Sequence, residues 1–200
     1  MKLSKLILKT IAKTLACVII LLATVYGVLM LFFPKVLAEK YYKLGKYSTG
    51  MYYYELQYDR SKDFGDLAVL CDRLDEINDA KRTEKYLALF VSENEFVEFC
   101  ELVDDQSLSA VASVDFYTGK HVISAYKSQG IDKAIELINK YVDENGYSKF
   151  SACGFLISSC LEDMSSEDCS KLASALTEII ETLDGQDKVN AQADLSLLVE

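Results

Sequence analysis

The stretch DFGDLAVLCDRLDEINDAKRTEKYLALFVSEN, residues 63–94, decides the fold class. Leu67, Leu70, Cys71, Leu74 and Ile77 recur at helical spacing, and Asp66, Asp72, Arg73, Asp75 and Glu76 fill the positions between them. That is the period of a helix with one buried face. Asn78 and Asp79 predict its end, and the following helix buries Tyr86, Leu87 and Phe90. No stretch longer than a few residues alternates convincingly at period two, so the chain reads as all-α.

Downstream, residues 94–103 predict a helix capped by Asn94, with Phe96, Phe99, Cys100 and Val103 inward. Residues 104–116, DDQSLSAVASVDF, permit either a loop or a short helix. Gly130 then divides two short helices, and Asn145 with Gly146 predicts a turn. An apolar helix follows over 147–163. Ser165 and Asp168 form a capping-box pattern ahead of the stripe Cys169, Leu172, Leu176, Ile179 and Leu183, with Gly185 as the stop. A last amphipathic helix closes the chain.

Upstream, TLACVIILLATVYGVLMLFF, residues 14–33, runs twenty residues without a charge. At 1.5 Å per residue it spans a hydrocarbon core of about 30 Å. The expected organisation is a basic tail over 1–13, a transmembrane helix over 14–33 and an acidic helical domain over 34–200. A cleavable signal peptide is the competing reading, because Val36 and Ala38 make a small-residue cleavage pattern. The apolar run exceeds the ~7–15 residues of a signal peptide's core and favours a retained anchor. Four Lys precede the segment, and Lys35, Lys40, Lys43 and Lys46 follow it. The charge rule is thus nearly balanced, and the short basic tail favours a cytoplasmic N-terminus with the domain outside. Ala16, Ala23 and Gly27 share one face, where a second copy of the helix could pack as a homodimer.

Net charge is −10. Residues 1–33 hold four Lys and no acid, leaving 17 basic against 31 acidic residues in the remainder. A field of that sign excludes nucleic acid as a partner and keeps a tethered domain soluble. Five Cys beyond the span, at 71, 100, 153, 160 and 169, show no CxxC spacing and read as buried reduced thiols. With one His in the chain, zinc is a poor fit.

Short helices paired by brief turns are the local signature of stacked hairpins. AEKYYKLGKYSTGMYYYELQY, residues 38–58, resembles the centre of a tetratricopeptide repeat through Tyr41, Tyr42, Gly45, Tyr47, Gly50 and Tyr54. SAYKSQGIDKAIELINKYV, residues 124–142, resembles the same element through Tyr126, Gly130 and Ala134. Residues 64–97 match the repeat length of about 34. The family's Trp and terminal Pro are absent, and residues 98–116 do not fit.

The resemblance implies a tetratricopeptide-like α-solenoid whose first helices line a partner-binding surface. Its solvent-facing residues would be Glu39, Tyr42, Lys43, Asp72, Asp75, Glu76 and Lys127. It would place Tyr41, Tyr47 and Tyr54 in the hairpin core and leave Tyr52, Tyr53 and Tyr58 for interaction. The expected function is a membrane-anchored interaction scaffold or accessory subunit that binds a membrane-associated protein. No nucleotide-binding, metalloprotease or serine-hydrolase motif occurs, and no cofactor is implied. The alternative is a membrane-bound enzyme or ligand sensor whose site is assembled from residues distant in sequence.

Overall fold

The computed structural model describes residues 2–92, 96, 98, 100, 110–145 and 149–199. Among them are ten α-helices, one 3-10 turn and no strand. The helices are α1 (Lys2–Phe32), α2 (Pro34–Lys43), α3 (Tyr47–Ser61), α4 (Phe64–Glu76), α5 (Ala80–Ser92), α6 (Ala110–Gln129), α7 (Ile131–Asn145), α8 (Lys149–Cys160), α9 (Ser166–Thr182) and α10 (Gly185–Val199). The chain divides into two compact units, Met1–Leu70 and Cys71–Glu200. The first hairpin therefore groups with α1, a finer division than one unit over 34–200.

In the first unit, α1 is unbroken from Lys2 to Phe32, so the expected tail and span are one helix. Its segment Lys9–Phe32 is long and apolar enough to cross a membrane, and none of its most apolar window is buried. Pro34 lacks the N–H that would continue the ladder, so it begins α2 at a first-turn position where no donor is needed. Gly45, with φ +71, turns the chain into α3. Gly50 sets how closely α2 and α3 approach, because a Cβ there would lie 3.0 Å from the Tyr42 nitrogen and 3.2 Å from the Ala38 oxygen. Leu37, Ala38, Met51, Tyr53 and Tyr54 are buried in this unit.

In the second unit, α6 packs against α5, α7 and α8, and α9 packs against α7, α8 and α10. The core joins Val122 and Ala125 of α6, Ile138 of α7, Leu156 of α8, Leu172 and Leu176 of α9, and Ala191 of α10. Each fully buried Leu or Ile contributes roughly 1.5–3 kcal/mol of apolar transfer. The Ser165 hydroxyl accepts from the Asp168 N–H and the Asp168 carboxylate accepts from the Ser165 N–H, completing the expected capping box.

Three boundaries differ from the sequence reading. Gly185 starts α10 with φ +56 and does not end α9. Instead α9 stops at Thr182, because Leu183 turns extended and packs half-buried against the core. Residues 110–116, left open between loop and helix, belong to α6, which at 20 residues is longer than the short helix expected before Gly130. Residues 104–109, the Asn94 cap, Phe99, Val103 and Gly146 lie outside the described residues. Phe96 and Cys100 are helical and buried as expected.

Candidate functional site

Asp72 and Asp75 stand one helical turn apart on α4, so both carboxylates leave the same face. Opposite them Lys120 of α6 places its ammonium 2.9 Å from Asp75 Oδ2 and 3.7 Å from Asp72 Oδ1. The same ammonium lies 4.4 Å from the ring centroid of Phe116, one turn earlier on α6. Desolvation holds the Asp72 carboxyl above its usual range, the charge of Lys120 opposing part of the rise and those of Asp75 and Glu76 adding to it. Phe116 itself is 38% exposed. A partly exposed ion pair of this kind contributes about 0.2–1 kcal/mol to folding.

Beside the pair, Asp75, Asn78, Thr83, Ile123 and Lys127 line a shallow pocket of about 80 Å³. The other flank of α6 is set by its approach to α8. A Cβ at Gly119 would lie 2.6–2.9 Å from three atoms of Phe155, and Ser151 Oγ donates to Asp115 Oδ2 at 2.9 Å. The resulting surface is open and carries charges of both signs and an aromatic ring.

Of the residues singled out from sequence, the fold gathers Asp72, Asp75 and Lys127 here. Glu76 turns aside to receive both bonds of a local pair with Arg73, at 2.8 Å each. Lys120 and Phe116 were not anticipated. The seven-residue spacing of Lys120 and Lys127, two turns of one face, was a usable signal; Phe116 was hidden in the stretch read as loop or helix.

The candidates in the first unit have a different fate. Glu39 and Lys43 are exposed, and Tyr42 is half-buried, edge-on to Tyr47 at 5.0 Å and Tyr54 at 6.3 Å. Tyr52 is 50% exposed. Tyr53 and Tyr58 are corrected to core residues. Tyr53 stacks on Tyr41 at 5.7 Å and hydrogen-bonds the hydroxyl of Tyr26, and the buried Tyr58 ring carries Lys62 at 4.9 Å. Tyr47, expected in the hairpin core, is 47% exposed: it sits at the first position of α3, where its ring meets Tyr42 and its remaining surface is open. A Cβ at Gly27 would meet open space, and Ala16 and Ala23 are exposed, so the small-residue face of α1 is uncovered.

A second cavity, about 220 Å³, lies among α5, α6 and α7. His121 is buried at its edge; its Nδ1 shares a hydrogen bond with the Tyr141 hydroxyl. Its Nε2 has no hydrogen-bond partner among the described residues, and the nearest carboxylate is Glu84 at 3.9 Å. Desolvation, with the charges of Lys140 and Lys133, holds the imidazole pKa down at about 4, so the ring is neutral near pH 7. No group of three or more metal-ligating side chains occurs among the described residues.

Comparison with protein-family models, with curated proteins and with solved structures returns no match.

Proposed function

We propose that this chain is a single-pass membrane-anchored interaction scaffold or accessory subunit, with α1 as the anchor and the α4–α6 face as the surface that receives a protein partner. The observation that carries the reading is the convergence of Asp72, Asp75, Lys120, Phe116 and Lys127 on one open face. Cations on an incoming helix or extended segment would replace Lys120 at the two carboxylates, and an apolar side chain would cover Phe116. Confinement to the bilayer raises the effective concentration of a partner that shares it, so a weak surface suffices. The role is binding and positioning, without chemistry.

A tetratricopeptide-like stacking is consistent with the small residue at the α2–α3 approach, Gly50, and with α6 lying against both its hairpin partner α7 and the first helix of the next pair, α8. The proposed orientation keeps the N-terminus in the cytoplasm and the domain outside. Labelling of Asp187→Cys by a membrane-impermeant maleimide in intact cells supports that orientation, and labelling only after lysis reverses it. For the binding surface, a photo-crosslinking amino acid at Phe116 in native membranes should capture a discrete protein that the same group at exposed Gln192 does not. Identical products from both positions would remove the proposed surface.

The unpartnered Nε2 of His121 favours a second reading, a sensor of a small polar ligand in the cavity beside Glu84. As the only histidine, it gives a single imidazole signal in the isotope-labelled protein. A panel of small carboxylic acids and amines that leaves this signal unmoved rules that reading out for those classes.

A further inference from the structure

Tyr26 lies six positions before Phe32, the last residue of α1, and Tyr41 lies seven positions after Pro34, the first residue of α2. Tyr41 stands beside Tyr26, so α2 folds back antiparallel along the last two turns of α1. On α3, Tyr53 meets Tyr26, and seven residues later Arg60 donates to the carbonyl oxygens of Met30 at 3.0 Å and Leu31 at 2.6 Å. Thus α3 runs parallel to α1 over the same two turns. Arg60 also satisfies carbonyls that the end of α1 would otherwise leave unpaired. The turn of the hairpin, Leu44–Tyr47, must then point toward the N-terminal half of α1, reaching the level of Tyr26 or beyond.

This arrangement conflicts with a bilayer that covers α1 as far as Phe33. Such a placement would bury the guanidinium of Arg60 and the ammonium groups of Lys40, Lys43 and Lys46 at hydrocarbon depth, which costs far more than moving six apolar residues into the interface. Ending the hydrocarbon at Tyr26 lifts Arg60 and Lys40 out of it and leaves Lys43 and Lys46, at the turn further toward the N-terminal half of α1, within snorkelling reach of the headgroups. The phenols of Tyr26, Tyr41, Tyr52 and Tyr53 then form an aromatic belt at headgroup level. Leu44 and Tyr47, 62% and 47% exposed at the turn, then meet the outer acyl chains while the neighbouring lysines reach up to the headgroups.

We infer that, if α1 is the anchor proposed above, its hydrocarbon span ends at Tyr26, and the turn of the α2–α3 hairpin dips just below an anionic phospholipid headgroup layer that its lysines reach by snorkelling. Residues Thr10–Val25 then cross the bilayer over roughly 24 Å. Lys9 and Lys13 snorkel outward at the far side, and local thinning absorbs the remaining mismatch. The final two turns of α1 belong to the folded first unit, held by Arg60 and the tyrosines. Lys40, Lys43 and Lys46 match the charge of the headgroups, in contrast to the acidic remainder of the chain.

The chain contains no Trp, so single substitutions give clean depth reporters. Leu22→Trp, Val28→Trp and Tyr47→Trp in the full-length protein are reconstituted into phosphatidylglycerol vesicles with lipids brominated high or low on the acyl chain. Leu22→Trp is expected to be quenched best by deep bromines. Val28→Trp is expected to remain accessible to acrylamide, and Tyr47→Trp is expected to be quenched by shallow bromines. Adding Lys43→Glu and Lys46→Glu to Tyr47→Trp should reduce its shallow quenching several-fold, and far-UV circular dichroism checks that each variant keeps its helices. Deep quenching of Val28→Trp equal to that of Leu22→Trp, with Tyr47→Trp in water alone, overturns the shifted span and leaves the anchor intact. Aqueous behaviour of all three, Leu22→Trp included, overturns the anchor itself.

Discussion

The Lys120 ammonium lies 2.9 Å from the Asp75 carboxylate and forms the bridge between α6 and the last turns of α4 in the second unit. Both side chains keep solvent access, at 21% and 47%, so the pair stabilises the fold by no more than about 1 kcal/mol. Asp75→Lys should therefore lower the melting temperature by no more than about 4 °C. It should nevertheless abolish crosslinking from Phe116, because the reversed charge repels the cation expected on the partner. Retained crosslinking in a folded Asp75→Lys protein would remove the carboxylates from the binding surface.

Gly119→Ala should be destabilising. The new Cβ would lie 2.6–2.9 Å from the Cβ and ring of Phe155, atoms near the base of that side chain that cannot swing away without moving α8. The cost expected of such overpacking is about 1–3 kcal/mol. Adding Phe155→Leu should recover part of it by removing the ring. A urea transition for Gly119→Ala that overlays the parent's would show that α6 and α8 are farther apart than described.

His121 sets an acid limit on stability. Its folded pKa, held at about 4, lies below the ordinary value of 6.5, so the unfolded chain binds the proton more tightly between these values. Stability is fully present above pH 6.5 and falls as pH drops toward 4, by up to about 3 kcal/mol. Glu84 of α5 and Lys133 and Lys140 of α7 face the same cavity and are unchanged in His121→Gln. That variant should therefore lose this part of the pH slope. Equal slopes between pH 7 and 4.5 in parent and variant would assign the acid sensitivity to other groups.

The cysteines divide by burial. Cys71, Cys100, Cys153 and Cys160 are buried, and desolvation pushes the Cys100 thiol up to about 11 and that of Cys153 to about 12. At pH 8 their thiolate fractions are about a hundredfold or more below that of an ordinary thiol. Among the cysteines beyond α1, an Ellman titration of the folded protein should therefore register Cys169 first and the buried four only on unfolding. Rapid reaction of Cys153 before unfolding would contradict the packing of α8.

What the sequence by itself determined is local. The apolar period of residues 63–94, Pro34 at the start of α2, the turn at Gly130 and the Ser165–Asp168 box each act within a turn or two of backbone. Their physics is complete in a short window of chain. The length and apolarity of α1 are of the same kind, since they depend only on consecutive side chains.

Tertiary structure decided which faces meet. A tyrosine is apolar over its ring and polar at its tip, so composition could not separate buried Tyr53 and Tyr58 from exposed Tyr47; the crossing of α2 and α3 did. The bond of Arg60 to Leu31 and the pairing of Lys120 with Asp75 join residues 29 and 45 positions apart, and no local period encodes either. Side-chain patterns specify a helix and its buried stripe, whereas the packing of whole helices selects which polar groups from distant segments come within hydrogen-bonding distance.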